Sequence, residues 1–345
     1  ARVGGTRVTL SLKDAKPQEA FAALGKQARY EFPTMPPTLW QQAANGSITV
    51  RHDDVDFWTA FKDLCQKSGV YPQPYGNQGR MTLQQGSSPQ WGGPSVVSGP
   101  FLVVANRIQR TNSVEFATPD NVQRECTLTL TALAEPKVRV VQSSYNVNVR
   151  EAVDENGNSL VADGQASYGM SSGQQWMWNL QARLAYPDKN PGQRLVRFRG
   201  SMKFLVQLDS EVFEVTDVMT AKPVERRIAN RRIAFKQAKK QNENQYEVQV
   251  TLHRDGMPQA EWGAMSSSAH GVKLLDKDGR ALSSNGWGTS SDGQKLEFNW
   301  TFGRQQHFGG GDGGKPGEPY RLTWEIPTET REMEVPFEFK DLRLP

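Results

Sequence analysis

The fold class is decided by Asp154-Glu-Asn-Gly157-Asn-Ser-Leu160 and by its near copy, Asp276-Lys-Asp-Gly279-Arg-Ala-Leu282. Each stretch holds an Asn-Gly or Asp-Gly pair, which is typical of two-residue β-hairpin turns. A type I′ turn needs positive φ at both central residues, and Asn, Asp and Gly tolerate it. The sequence therefore predicts a type I′ hairpin at each stretch.

Three further pairs of segments match in the same order along the chain. They are Val104–Arg107 with Ile228–Arg231, Tyr168–Ser172 with Trp287–Ser291, and Trp176–Trp178 with Phe298–Trp300. All four pairs are separated by 119 to 124 residues. Matches in one order at a nearly constant spacing indicate an internal duplication.

Each copy has the residue pattern of short β-strands. Residues alternate between apolar and polar over Thr127–Thr131, Val147–Val149 and Tyr246–Leu252, which is the period of a half-buried strand. Copies of about 120 residues with many short strands suit an immunoglobulin-like β-sandwich. We therefore expect two tandem all-β sandwich domains, over residues 101–221 and 222–345, with a last strand at Val335–Phe339.

The first 85 residues have a different, partly helical pattern. Ala20-Phe21-x-x-Leu24 and Ala60-Phe61-x-x-Leu64 repeat at helical spacing, so each predicts an apolar helix face. Pro17 suits a first helical turn, Asp56 suits an N-cap, and Ser68-Gly69 suits a helix end. Predicted strands flank the two helices and give the order β-α-β-β-α-β. These strands are Val8–Leu12, Tyr30–Phe32, Ile48–Arg51 and Met81–Leu83.

This order resembles the short N-terminal domain of secretins and TonB-dependent receptors, over about a quarter of the chain. The resemblance is carried by Val-Thr-Leu-Ser-Leu at 8–12 with Ala-Phe-x-x-Leu after it. It is also carried by Ile-Thr-Val at 48–50 with D-x-x-x-A-F-x-x-L-C-x-x-S-G-V at 56–70. It implies a docking module of the cell envelope without enzymatic activity, whose partners are other envelope proteins. We accordingly expect a periplasmic or extracellular protein whose signal peptide has been removed before Ala1.

Composition separates the N-terminal domain from the rest and limits the class of protein. Residues 86–100 hold eleven Gly, Ser or Pro residues, which predicts a flexible linker. Hydrophobic residues are 37% and charged residues 23% of the chain, which is typical of globular proteins. No apolar run approaches the ~20 residues of a membrane span. Cys65 and Cys126 fit no metal-binding spacing, and Cys65 is expected to lie buried on a helix.

Positive charge is concentrated between Lys222 and Lys240. This stretch holds eight basic residues and one acid, although the whole chain carries only +4. Arg226, Arg227, Arg231 and Arg232 form its centre. Such a patch can contact phosphates, anionic lipid or an acidic protein, although most charge runs are simply a solvated strand and linker. Nucleic acid is not expected as a partner, because aromatic residues do not alternate with the cations.

Motifs of catalysis and cofactor binding lack their structural context. Gly169-Met-Ser171-Ser-Gly173 matches G-x-S-x-G, but an alternating segment follows it where a nucleophile elbow needs a helix. In the glycine run at 309–316, Pro316 replaces the hydroxyl residue of a P-loop. The Asp154 and Asp276 stretches lack the EF-hand glycine and glutamate. The four histidines have no metal-ligand spacing. The sequence predicts no catalytic residue, cofactor or metal.

The leading hypothesis is a non-enzymatic envelope protein for protein–protein interaction or scaffolding. One alternative is a carbohydrate-binding protein that stacks sugars on loop aromatics, with Tyr168 and Trp287 as the candidates. A second alternative is phosphate-polymer binding through residues 222–240. The candidate binding surface therefore comprises Arg226, Arg227, Arg231, Arg232, Tyr168 and Trp287.

Overall fold

The computed structural model describes residues 3–42, 46–73, 81–86, 92–144, 146–162, 170–172, 175–187, 190–228, 231–257, 262, 265, 271–304 and 316–345. Strands account for 61% of the structure and helices for 11%, so the prediction of a mostly β protein is confirmed. The chain forms two compact units. The first comprises residues 1–171, 175–205 and 332–345, and the second comprises 172–174 and 206–331. Across the ranges above, no helix is long and apolar enough to cross a membrane.

Within residues 3–42, 46–73 and 81–86, the N-terminal part of the first unit contains three helices and four short strands. The helices are α1 (Pro17–Ala28), α2 (Leu39–Gln42) and α3 (Phe57–Ser68). Strand β1 (Arg7–Ala15) pairs antiparallel with β2 (Ile48–Asp56), and β3 (Val70–Pro72) pairs antiparallel with β4 (Leu83–Gln85). The order β-α-α-β-α-β-β differs from the predicted one. Tyr30–Phe32 form no strand, because Arg29 takes a left-handed conformation and the N–H of Tyr30 bonds to the carbonyl of Gly25.

Both long helices begin where the sequence predicts, and α3 also ends there. Pro17 opens α1. Asp56 caps α3 by accepting the N–H of Thr59 at 2.7 Å, and Gly69 ends it at φ 67°. The predicted apolar faces are buried. They comprise Ala20, Phe21, Leu24 and Ala28 on α1, and Phe57, Ala60, Phe61, Leu64 and Cys65 on α3.

The N-terminal part shares its hydrophobic core with the strands that follow it. Leu102, Leu133 and Met177 belong to the same buried cluster as the faces of α1 and α3. The indole N–H of Trp58 also donates to the carbonyl of Pro100 at 3.1 Å. The prediction of a flexible linker is wrong for residues 95–98, which form strand β5 (Ser95–Ser98). Two valines hold it there, because they pair with Leu102 and Val103 of the next strand.

A buried carboxylate ties the start of the chain to this core. Glu135 is 1% exposed, and it accepts the backbone N–H of Thr6 at 2.8 Å and the Thr6 hydroxyl at 2.6 Å. Lys137 lies 3.4 Å away. Burial raises the pKa of Glu135, and this effect outweighs the hydrogen bonds from Thr6 and the charge of Lys137, which lower the pKa.

The two units contain sheets with the same strand order. In the first unit, β11 (Met177–Leu184), β7 (Thr118–Ala134), β6 (Phe101–Glu115) and β5 are neighbours in that order. In the second unit, β18 (Lys295–Gly303), β15 (Gln245–His253), β14 (Arg231–Asn242) and β13 (Val224–Ile228) follow the same order, and β17 (Ser283–Ser291) adds a fifth strand beside β18. All pairs are antiparallel.

The two sheets also share a β-bulge, which corrects one of the four sequence matches. The register shifts between Ala105 and Arg107 in β6, and between Phe235 and Gln237 in β14. Ala105 pairs with Leu130, as Phe235 pairs with Val250. The equivalent positions of β6 and β14 are therefore 130 residues apart. The match of Val104–Arg107 with Ile228–Arg231 is thus displaced by six residues, because the short identity Ala-Asn-Arg does not follow the strand pairing.

The remaining strands belong to the sheet that contains the two longest strands of the structure. In the first unit, β10 (Met170–Ser172), β8 (Arg139–Ser144), β12 (Arg194–Thr216) and β19 (Arg321–Phe339) are neighbours in that order, and β9 (Asn148–Asp154) and β20 (Leu342–Arg343) also pair with β12. In the second unit, β16 (Val272–Leu275) pairs with residues 321–324 of β19. The chain passes between the units within β12 and within β19, whereas the predicted repeat boundary lies at residue 222. The predicted strand at Val335–Phe339 is the end of β19.

The two Asp-x-Asn/Asp-Gly stretches form the same turn, anchored by a buried carboxylate. Asp276 is 3% exposed, and one of its oxygens accepts the N–H groups of Asp278 and Arg280 at 3.0 and 2.8 Å. The other oxygen accepts the N–H of Gly317 at 2.8 Å. Burial alone would raise the pKa of Asp276, but these three backbone hydrogen bonds lower it below its usual range.

Asp154 repeats this arrangement in the first unit. It is 1% exposed and accepts the N–H groups of Asn156, Asn158 and Gly192 at 2.9, 2.8 and 2.8 Å. The type I′ prediction is wrong for both turns, because only the glycines, Gly157 at φ 81° and Gly279 at φ 80°, take positive φ. The aspartate side chain closes the turn instead, as in an Asx-turn.

Replacing Asp276 with Ala should destabilise the chain by about 1–3 kcal/mol, because three part-buried backbone N–H groups lose their acceptor. Asp278→Ala is the matched control, since its carboxylate lies at the surface, 3.4 Å from the exposed Arg280. Urea unfolding followed by circular dichroism measures both variants. Equal midpoints for the two variants would contradict a structural role for Asp276.

Glu135 should make the protein more stable as the pH falls from neutral toward its ordinary pKa of 4.5. Its pKa is raised in the folded chain, so the folded state binds a proton that the unfolded state still lacks in this window. Glu135→Gln cannot take up that proton. The stability of the wild type relative to this variant should therefore increase on acidification, as measured by thermal unfolding at several pH values. A constant difference would refute the assignment.

Candidate functional site

A cleft of about 470 Å³ opens beside α1 in the first unit. Aromatic residues make up much of its wall, and two basic residues and one acid add charge. The lining comprises Gln18, Phe21, Ala22, Gly25, Lys26, Arg29, Tyr30, Glu31, Phe32 and Trp40. Its volume lies in the range of ligand and peptide pockets.

The end of α1 shapes the cleft through a close backbone approach. The N–H of Tyr30 donates to the carbonyl of Gly25 at 2.8 Å, so the chain folds back against the last helical turn. A Cβ at position 25 would lie 2.3 Å from the carbonyl oxygen of Tyr30. Only glycine permits this turn, which brings Tyr30 and Phe32 beside the helix. The Tyr30 hydroxyl then donates to the carbonyl of Met81 at 3.2 Å.

The segment after Phe32 is fixed by backbone hydrogen bonds. The N–H of Leu83 donates to the carbonyl of Pro33, and the N–H of Met35 donates to the carbonyl of Leu83, both at 2.8 Å. These bonds hold the Pro-rich segment against β4. It leads into α2, where Leu39 is buried and Trp40 is half-buried.

Ring contacts hold the aromatic wall in place from behind. Phe21 contacts Phe32 and Trp40, with ring centroids 6.0 and 5.8 Å apart. Phe32 also stacks on Phe61 of α3 at 5.5 Å. Phe21 and Phe61 are almost fully buried, whereas Phe32 and Trp40 are half-buried and so present part of their surface to the cleft. The wall is preformed, which lowers the entropic cost of binding.

Lys26, Arg29 and Glu31 are exposed at the cleft, so it combines an apolar wall with a net positive charge. Such a surface can bind an apolar or aromatic group that lies beside a carboxylate. Sequence reasoning did not identify this site. The signal was the density of aromatic residues in the segment that holds Tyr30, Phe32 and Trp40, between two predicted helices.

The four arginines of the predicted basic surface have different environments in the structure. Arg226 and Arg227 are exposed on β13, but Arg231 is 8% exposed and donates to the carbonyl of Pro327. Arg232 makes a two-pronged contact with Asp255, with both N–O distances at 3.1 Å. Arg231 therefore links β14 to the backbone at Pro327. Arg232 is neutralised by Asp255, which the sequence pattern did not associate with it.

Other cations of the 222–240 stretch also face acids. Lys240 lies 3.5 Å from Glu318, and Lys239 pairs across the strands with Glu247. Carboxylates from outside the stretch therefore lower its local positive potential well below that of eight basic residues in sequence.

Trp287 lies in strand β17, so its assignment to a loop is wrong. It is half-buried, packs against the core of the second unit, and its ring lies 6.4 Å from that of Phe298. Its position opposite Trp300 explains this, because the two strands pair residue by residue there. Tyr168 lies outside the described residues.

The catalytic motifs lead into strands. Ser171 lies in β10, and Met177–Leu184 form strand β11, where a nucleophile elbow needs a helix. Gly169 and Gly173 lie outside the described residues, as do residues 309–315 of the glycine run. The segment after that run is strand β19, not a helix.

The described histidines and cysteines take part in packing and ion pairs. His52 lies 3.0 Å from Asp63, and Arg232 contacts His253 at 3.3 Å. Cys65 and Cys126 are buried free thiols. Burial raises the pKa of Cys126 to about 11 and that of Cys65 well above its usual value, so both are protonated at neutral pH. In the described ranges, three or more His, Cys, Asp or Glu residues nowhere converge as metal ligands would.

Comparison with models of protein families, with curated proteins and with solved structures found no match to this chain.

Gly25→Ala should destabilise the chain by about 1–3 kcal/mol, because the new Cβ would overlap the carbonyl of Tyr30. This sign is opposite to that of helix propensity, which favours alanine by about 1 kcal/mol. Gly46→Ala is the control, since no atom lies within 4 Å of its Cβ position. Thermal unfolding distinguishes the two effects, and a stabilised Gly25→Ala variant would contradict the close approach.

Proposed function

We propose that this chain is a non-catalytic, modular binding protein of the cell envelope, and that it docks other proteins through the cleft beside α1. The observation that carries the proposal is the cleft itself, with its preformed aromatic wall and its cations Lys26 and Arg29. Docking proteins bind through such apolar hollows with charged rims. The resemblance of residues 1–85 to the N-terminal domain of secretins and TonB-dependent receptors supports the docking role and a periplasmic or extracellular location.

The rest of the chain is, in this proposal, a duplicated β unit of immunoglobulin-like size that serves as a scaffold. Three observations support the duplication. The four strands β5, β6, β7 and β11 have counterparts in β13, β14, β15 and β18. The bulges after Ala105 and Phe235 coincide, and the buried Asp154 and Asp276 anchor equivalent turns. These shared features stabilise the fold, because backbone N–H groups find their acceptors within each turn and each sheet.

The charge distribution argues against phosphate-polymer binding as the main function, because Asp255, Glu318 and Glu247 lie against the basic stretch. Sugar stacking on Trp287 is likewise disfavoured, because that ring packs against the core. Among the described residues, no specific observation favours either alternative.

Ala22→Trp tests the cleft, since it puts a bulky side chain on an exposed, cleft-lining position of α1. Peptides selected from a displayed library on the wild-type chain should bind this variant at least about tenfold more weakly. Gln66→Trp, at an exposed position of α3 outside the cleft, should leave the affinity unchanged. Fluorescence anisotropy with the selected peptides measures both.

The same variants should be tested on a glycan array. Selected peptides that bind Ala22→Trp as well as the wild type would refute the cleft as docking site. Glycans that bind the wild type and lose affinity for Ala22→Trp would replace protein docking with carbohydrate binding.

A further inference from the structure

The hairpin of β6 and β7 extends well beyond its neighbouring strands. β5 pairs only with residues 101–104 of β6, and β11 pairs only with residues 126–133 of β7. Residues 107–110 of β6 still lie in a three-stranded region, because their partners, residues 126–129 of β7, also pair with β11. From Thr111 to Glu125 the hairpin has no third strand among the described residues. The five residues of β6 in this part, 111–115, are exposed, and at about 3.3 Å per residue they extend about 17 Å. We call residues 111–125 the arm.

An apolar side chain lies at the tip of the arm. Phe116 is 98% exposed and Val114 is 48% exposed. Glu115 pairs with Thr118, so Phe116 and Ala117 form a two-residue loop. Such loops favour Asn-Gly or Gly-x, because their turns need positive φ, yet neither Phe116 nor Ala117 takes positive φ.

Neither folding nor solubility accounts for phenylalanine at this position. It buries no surface within the chain and does not suit the turn. An isolated two-stranded hairpin is also marginally stable in water. Phe116 and the nearby Val114 together leave an exposed apolar surface at the tip of the hairpin, which a partner can cover.

We propose that the arm of one chain inserts Phe116 into the cleft beside α1 of a second copy of this chain. The cleft offers an aromatic wall made by Phe21, Phe32 and Trp40, and its volume of about 470 Å³ accommodates a phenyl ring with part of Val114. Glu115 would approach the side of the cleft that carries Lys26 and Arg29. The proposal rests on the cleft being a docking site, and it names the occupant.

The arm and the cleft are different surfaces, so two arrangements satisfy the proposed contact. In a head-to-tail contact, each copy keeps one free arm and one free cleft, and assembly continues as a chain of subunits. In a reciprocal exchange, the arm of each copy occupies the cleft of the other, and assembly stops at a two-fold symmetric dimer. The concentration dependence of the mass therefore distinguishes these modes.

Sedimentation velocity of the full chain at rising micromolar concentration tests the proposal. The wild type should form dimers or larger species as its concentration rises. Phe116→Ser should weaken self-association at least about 30-fold. Val212→Ser is the matched control, because it removes an exposed apolar side chain (57% exposed) from another strand and should change nothing.

Mixing two blocked variants gives the sharpest test. Phe116→Ser retains a working cleft, and Ala22→Trp retains a working arm, so each alone should be monomeric. Their mixture should form a one-to-one heterodimer and nothing larger, because only one of the two possible contacts is intact. Gln18→Trp blocks the cleft from another lining position and should replace Ala22→Trp in this mixture.

Three outcomes would overturn the proposal: a monomeric wild type at all concentrations, self-association that survives Phe116→Ser, or a mixture of blocked variants that stays monomeric. The docking function has a separate readout. Peptide binding that is lost in Ala22→Trp while the wild type remains monomeric would keep the cleft as a docking site and assign it another occupant.

Discussion

Packing around Phe61 is the constraint on which the N-terminal part depends. Its ring lies within 6.0 Å of those of Phe21, Phe32, Phe57 and Trp58, so it joins α1, α3 and the segment after α1 in one aromatic cluster. Phe21 and Phe32 line the cleft on their other side. The cleft wall is therefore the outer layer of a core, and it stays in place without a ligand. Trp58 extends the same cluster to Pro100 through its indole N–H.

Local physical chemistry made much of this fold predictable from the sequence. Asp56, Pro17 and Gly69 act within one helical turn of their own position, and the faces of α1 and α3 follow from helical spacing alone. The Asp-x-Asn/Asp-Gly turns were located correctly for the same reason. Their type was not, because the anchoring donors include Gly192 and Gly317, which lie 38 and 41 residues away. A buried carboxylate that selects such a partner leaves no local pattern.

The wrong predictions concern strand pairing and contacts between different elements. Composition at residues 86–100 favours a linker, but β5 forms there because valines gain partners from β6. Four short identities detected the duplication, yet only the bulge in the strand pairing gives the correct register for β6 and β14. The basic stretch at 222–240 is continuous in sequence, whereas Asp255 and Glu318 neutralise parts of it from other strands and loops. The cleft was missed because its wall joins α1, a non-regular segment and α2.

The arm shows how a departure from local rules points to function. In the Asp-anchored turns, each residue serves the turn: the aspartate accepts the backbone N–H groups, and the glycine takes the positive φ. At the tip of β6 and β7, neither Phe116 nor Ala117 serves the turn, and the exposed ring costs solubility. A chain that exposes such a ring and also holds a preformed aromatic cleft has two surfaces of matching chemistry. Because they lie on different elements, one copy can offer its arm to a second copy and its cleft to a third, so the interaction that joins two copies can also extend the assembly.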